Sequence, residues 1–344
     1  MNKLLKLFAV SVLMTGIAFA ETMLTESLSV GGFVDMSYTD GDNGRDSTSG
    51  IDQIQFEFTF DNGGPVTAQV DIDYENGDDT NANIDEAYII YNMNGGGAVT
   101  VGRFKTMLLQ DASEPTGLYQ YSNAYDFLNI NINQKLYDIN LNQALYDIGD
   151  QGIKYTNGGF AISLVDNGDS KIGDGDNVTN DGDGDYAYEI GFTRQLSDKV
   201  TGFIGARITE SDTMHFDGDI YNLHLTYVDG PWVIGGEYVN AEAPLSKLIG
   251  SDVKEFDVTG FSLFANYSYS EKNSVTVRYS DIDGDAIYLD DNNNDVKLDL
   301  DGKKYTFAHN SALSDDLALI LEYSMQDTNL GDVDIFAVEL LYAF

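Results

Sequence analysis

Cysteine is absent from the sequence. That excludes disulfides, thiolate catalysis, cysteine-held metals and a lipid anchor on cysteine, so packing and hydrogen bonding alone must hold the fold. Basic residues are scarce: 18 Lys and Arg stand against 57 Asp and Glu, a formal net charge of −39. Nucleic acid and other anionic partners are therefore poor candidates, because their binding draws on positive charge to neutralise phosphates. Histidine occurs 3 times and proline only 4 times. Beyond residue 20 no run approaches the ~18 consecutive apolar residues that a membrane-spanning helix needs. The one sustained apolar run lies at the N-terminus, where Lys3 and Lys6 precede an apolar stretch over 7–17 and Ala18-Phe19-Ala20 puts small residues before Glu21. This pattern predicts a secretory leader over 1–20, cleaved before Glu21, because the run is too short to cross a ~30 Å hydrocarbon core. The mature domain is then expected over 21–344.

What the chain does have is 35 Gly, 22 Tyr and 18 Phe, and a period of two. In 53–60, Ile54, Phe56, Phe58 and Phe60 alternate with Gln53, Gln55, Glu57 and Thr59. The next segment sets Val66, Ala68, Val70, Ile72 and Tyr74 against Thr67, Gln69, Asp71, Asp73 and Glu75. Successive strand side chains point to opposite faces, so each segment is apolar on one face and polar on the other. A soluble acidic sandwich with the polar face outside and a membrane barrel with the polar face inside share this alternation.

Connection lengths separate the two. Sixteen strands are predicted over 26–38, 50–60, 65–76, 83–92, 97–104, 150–156, 159–166, 186–195, 199–209, 218–228, 231–240, 256–270, 273–282, 302–311, 315–326 and 333–344. Links such as Asp61-Asn62-Gly63-Gly64, Asn157-Gly158 and Asp229-Gly230 are short and carry hairpin residues, Glu271-Lys272 being the exception. They alternate without a break with longer connections, of which 105–149 is the longest. Outer-membrane barrels have short periplasmic turns and longer extracellular loops, whereas a sandwich has no reason to keep that rhythm. The expected fold is all-β: a transmembrane antiparallel β-barrel of about sixteen strands. Tyrosines near strand ends, among them Tyr74, Tyr186, Tyr188, Tyr238 and Tyr323, suit two interfacial girdles.

The last strand alternates through Phe336, Val338, Leu340 and Tyr342 and stops on Phe344. Tyr342 and Phe344 resemble the terminal signal that barrel assembly machinery reads. With the rest of the mature chain, this ending resembles a Gram-negative general porin. The most specific local likeness is Val101-Gly102-Arg103-Phe104 at the end of the fifth strand, followed by the longest connection, and Thr116-Gly117-Leu118-Tyr119-Gln120-Tyr121-Ser122 is similar to porin loops as well. The resemblance implies that 105–149 folds inward as a third loop and narrows the pore, although the family's Pro-Glu-Phe-Gly-Gly stretch is missing. It also implies loop acids, here Asp111 and Glu114, facing a basic wall. Strand parity supplies the wall: Arg207, Arg278 and Lys154 share the faces of polar residues. Arg103 shares the parity of Val99 and Val101, yet the family's Gly-Arg places its Arg in the pore. An outer-membrane setting among phospholipid and lipopolysaccharide and a homotrimer are likewise implied by the resemblance only.

Lumen-facing acids such as Glu57, Asp71, Asp73, Glu189, Glu237, Glu322 and Glu339 outnumber lumen bases, which predicts a cation-preferring diffusion channel for small hydrophilic solutes. The alternatives are a channel selective for sugars or peptides and a non-conducting structural or adhesive barrel. No cofactor is expected. The Asp- and Gly-rich loops offer hard oxygen ligands for Ca²⁺, and Asp291, Asn293 and Asp295 begin like a calcium loop. Position 302 is Gly where the twelfth ligand would stand, so the same residues also read as a solvated acidic surface. His309-Asn310-Ser311 has a hydrolase-like spacing but lies beside a predicted periplasmic turn, and no enzyme activity is expected.

Overall fold

A computed structural model describes residues 22–42, 47–75, 82–111, 115–132, 135–140, 150–166, 186–210, 218–243, 253–289, 295–329 and 331–344. Sixteen strands of the described residues form the wall: β1 (Leu28–Gly41), β2 (Thr48–Asp61), β3 (Val66–Glu75), β4 (Asn83–Asn92), β5 (Gly97–Phe104), β6 (Asp150–Asn157), β7 (Phe160–Asp166) and β8 (Tyr186–Gln195). The second half is β9 (Val200–Glu210), β10 (Gly218–Asp229), β11 (Trp232–Ala243), β12 (Val253–Ser270), β13 (Asn273–Leu289), β14 (Gly302–Ala312), β15 (Leu317–Thr328) and β16 (Gly331–Ala343). Each strand pairs antiparallel with the next, β5 meets β6 across the long loop, and β1 pairs with β16 from Phe33↔Ala343 to Gly41↔Ile335. The sheet is therefore closed, and no wall strand presents an unpaired edge to lipid.

Side-chain direction resolves the ambiguity left by the alternation. On β8, Tyr186, Tyr188, Ile190 and Phe192 are exposed while Ala187 and Glu189 between them are buried. On β14, Tyr305 and Phe307 are exposed while Lys304, Thr306 and Asn310 are buried. Apolar residues cover the outside and polar residues fill the inside, the inverse of a soluble sandwich. Every predicted strand is present, with ends displaced by a few residues.

Three further pieces were not anticipated. Thr22–Thr25 adds a short strand against β1. Within the long loop, Asp126–Ile132 and Lys135–Asn140 form a separate hairpin. The connection expected over 283–301 is shorter, because β13 runs on to Leu289 and Asp295–Asp299 folds back to pair with it, Leu289 opposite Asp295.

Gly102 shows why the end of β5 needs glycine. Its φ is +135°, and a Cβ there would lie 2.2 Å from the carbonyl oxygen of Ala87. Any side chain would collide with the backbone of β4 just before the chain turns inward.

Candidate functional site

The long loop leaves β5 and crosses the inner wall, and its main chain is received strand by strand. Thr106 Oγ1 donates to Glu189 on β8 at 2.6 Å. The amide of Leu109 donates to Asn222 Oδ1 on β10 at 3.1 Å, and that of Gln110 to Glu237 Oε1 on β11 at 2.6 Å. Leu109 is held at φ 77°, a left-handed conformation unusual for leucine, between these two anchored amides. Farther on, Tyr119 stacks on Phe264 with ring centroids 5.4 Å apart, and its carbonyl accepts from Thr276 and Asn310, each at 2.7 Å. The Ser122 amide donates to Glu322 Oε2 on β15 at 3.0 Å.

Two buried bases complete the anchorage. Arg278 on β13 reaches Asp111 at 3.4 Å, Ser122 Oγ at 3.1 Å and the Asn123 carbonyl at 2.8 Å. Lys304 on β14 donates to the Asn123 and Asp126 carbonyls at 3.2 and 3.0 Å. Wall carboxylates and amides thus take loop N–H groups, while wall bases take loop carbonyls, so each of these loop backbone groups has a partner. Burial within the loop pushes the Tyr119 phenol up to about 12 and holds Tyr125 well above the usual tyrosine range, so both stay neutral.

Small residues let the loop sit close. A Cβ on Gly205 would lie 2.6 Å from Leu108, and one on Gly260 would lie 2.8 Å from Tyr125. Gly205→Leu is accordingly expected to push the loop off the wall and enlarge single-channel current while the barrel still migrates as a folded species on gels. Unchanged current would show that the loop adjusts without moving.

The nominated residues fall into distinct places. Arg207 lies directly across the β8–β9 ladder from Glu189 and pairs with it at 2.9 Å, both buried under the loop. Asp111 and Arg278 meet each other directly. These two bases therefore stand beneath the loop rather than across the lumen from it. Lys154 on β6 places its ammonium 4.3 Å over the Phe104 ring. Arg103 donates from Nε to the Asp85 carbonyl at 2.7 Å. Glu114, Asp291 and Asn293 lie outside the described residues, and Asp295 opens the returning strand. Among the described residues, no group of three or more carboxylates or histidines is spaced to hold a metal ion. Phe344 packs edge-on against Phe56 at 5.6 Å and exchanges main-chain hydrogen bonds with Gly32 at 2.9 and 3.0 Å, which closes the short-turn end of the seam. Sequence reasoning missed Lys304, although its parity with Thr306, opposite Tyr305 and Phe307, assigned it to the interior.

Away from the loop's anchors, the wall of β2, β3 and β4 is acidic. Glu57 stands opposite Asp71, and Asp71 opposite Glu86, so three carboxylates run side by side across three strands. Thr59 Oγ1 donates to Glu57 at 3.3 Å, Gln69 Nε2 to both oxygens of Asp71 at 2.9 and 3.2 Å, and the Lys105 amide to Glu86 at 2.8 Å. Neutral donors such as these position a carboxylate without cancelling its charge, and the Lys105 and Lys154 ammoniums act on Glu86 from the loop root and β6. The Lys105 ammonium, close by, pairs with Asp85 at 2.8 Å.

A closed barrel with an apolar outside, a polar inside and an inward-folded loop after its fifth strand agrees with the family comparison. A family model described as Gram-negative porin matches residues 8–331. The chain belongs to the Gram-negative porin family. No curated protein matches its sequence. Similar solved structures include the outer-membrane channel DcaP of Acinetobacter baumannii, 15% identical with a TM-score of 0.60 over 94% of this chain and 100% of that one. The loop L8 deletion mutant of OmpT, an outer membrane protein of Vibrio cholerae, is 13% identical with a TM-score of 0.60, covering 92% of this chain and 99% of its own. The anion-selective porin from Comamonas acidovorans is 14% identical with a TM-score of 0.57 and the same coverages, 92% and 99%. At these identities the likeness is one of fold. The porin is thus an outer-membrane barrel of a channel family.

Proposed function

We propose that this porin is a passive diffusion channel for small hydrophilic solutes and ions, with a preference for cations. The observation that carries the preference is the division of charge on the inner wall. Arg207 is paired with Glu189, and Arg278 and Lys304 are spent on Asp111 and on loop carbonyls. Glu57, Asp71 and Glu86 stand together as a row of carboxylates, and the field of the negative charge they carry extends into the lumen. The anion-selective relative shares the fold, so selectivity follows from which charges line the lumen and not from the barrel itself.

In this reading 105–149 sets the size limit and Asp111 works as a loop anchor, while Arg103 and Lys154 tune the field near the loop root. Tyr342 and Phe344 act as the assembly signal. A homotrimer is the expected assembly, supported by a similar OmpT structure from Vibrio cholerae that is described as a trimer form. Neither the diffusion mechanism nor the anchoring needs a cofactor.

Single-channel recording of the purified protein in planar bilayers tests the channel reading. Large ohmic steps, with current proportional to salt concentration, are expected. Saturable block by one sugar or peptide would indicate a selective channel, and silence from folded protein a structural barrel.

A further inference from the structure

The barrel closes between β1 and β16 on carboxylates that solute passage does not require. The seam register sets Ser37 opposite Glu339 and Asp35 opposite Leu341, one pleat away on the same inner face. On the other side of β1, a register shift leaves Asp52 as an extra residue of β2 beside Gln53, the partner of Asp35. Asp35 and Glu339 are 4% and 1% exposed. Their side chains come within hydrogen-bonding reach of each other, and Asp52 acts on both by its charge and lies within reach of Ser37. Glu322 approaches from β15, with its own charge facing Lys304, and Tyr121 approaches from the loop, sharing a 3.2 Å hydrogen bond with Ser37.

Among the described residues no Lys or Arg forms an ion pair with Asp35 or Glu339. Asp35 Oδ1, Asp52 Oδ2 and Glu339 Oε2 are buried with no hydrogen-bond partner. Two ionised carboxylates carry no donor and cannot hydrogen-bond each other, so contact between them requires a proton on one. A bridging metal ion would be the other remedy, but the described residues hold no cradle for one.

We propose that Asp35 and Glu339 share one buried proton, and that this proton is a pH-sensitive clasp on the barrel seam and on the Tyr121 segment of the constriction loop. When alkaline buffer removes it, the proton passes to lumen water and two like charges are left in contact. Carboxylates opposed across strands repel, and burial removes the water that would screen them. Relief comes by parting β1 from β16 around Ser37, the residue that holds Tyr121. The Tyr121 segment of the loop is then freed, and Ser122 with its bond to Glu322 follows. The clasp rests on the channel reading only for its electrical consequence.

Infrared spectra of the full-length protein, reconstituted and exchanged between H₂O and D₂O, test the proton directly. At neutral pH the wild type is expected to show a protonated-carboxyl band that loses one carboxyl equivalent in Glu339→Gln and likewise in Asp35→Asn. Single-channel current should rise reversibly in alkaline buffer for the wild type and stay flat for Glu339→Gln, which keeps a hydrogen bond but has no removable proton. Heat-dependent gel migration confirms that each variant is folded. A band unchanged in both folded variants would overturn the proposal, as would a seam stabilised by added Ca²⁺ and indifferent to pH. If the protein proves electrically silent, the channel reading fails while the infrared result still decides the clasp.

Discussion

Arg278→Ala is expected to raise single-channel current and to expose the constriction loop to added protease, without unfolding the barrel. Arg278 is buried on β13 and joins two separate parts of the loop, Asp111 on one side and the Ser122 hydroxyl with the Asn123 carbonyl on the other. Removing one partner of a buried ion pair costs about 3–5 kcal/mol, because the other charge is left without compensation. Here that loss falls on the loop's attachment. The inter-strand ladder of β12, β13 and β14 uses backbone groups that the substitution leaves intact. Arg278→Lys should fall between the two, since an ammonium keeps the charge but not the planar fork that spans Asp111 and Asn123. Unchanged current and protease resistance in Arg278→Ala would mean that the loop is held by its other contacts alone.

The triple variant Glu57→Gln, Asp71→Asn, Glu86→Gln is expected to abolish cation preference while conductance in concentrated salt stays within the wild-type range. These replacements preserve shape, and the side-chain carbonyl introduced at position 86 would still accept from the Lys105 amide. A cation about 4 Å from one carboxylate gains ~1 kcal/mol in water-like surroundings, roughly a five-fold rise in local occupancy. The row therefore supports a cation-to-anion permeability ratio above one, which should fall to about one in the variant. The difference should shrink as salt rises, because the Debye length drops from about 10 Å at 0.1 M to 3 Å at 1 M. A ratio that persists in the triple variant would move the determinant elsewhere in the lumen.

The barrel was legible in the sequence because its strands alternate at period two and its turns alternate short and long, both local properties. The parity that put Arg207 and Arg278 inside holds in the structure for the same reason. What parity could not reveal was the company each base keeps. The pairing of Arg207 with Glu189 depends on the β8–β9 register, and Arg278 with Asp111 joins residues far apart in the chain. A sequence can show that a charge points inward, but not that a folded-in loop will cover it. The hairpin of Asp126–Ile132 and Lys135–Asn140 does carry an alternation, Leu128, Ile130 and Ile132 against Asn129 and Asn131, but it lies inside a segment read as one loop. Asp295–Asp299 escaped notice because its alternation, Val296 and Leu298 against Asp295, Lys297 and Asp299, is only five residues long and lies inside an acidic segment read as one loop. The seam carboxylates Asp35 and Glu339 sit at opposite ends of the chain, and only barrel closure brings them together.

The zero-current potential of the wild-type protein across a bilayer in a potassium chloride gradient tests the central claim most directly. Division of the inner wall into bases spent on the loop and an acidic row predicts a potential with the sign of potassium permeation, larger in dilute than in concentrated salt. A potential of chloride sign would contradict the account.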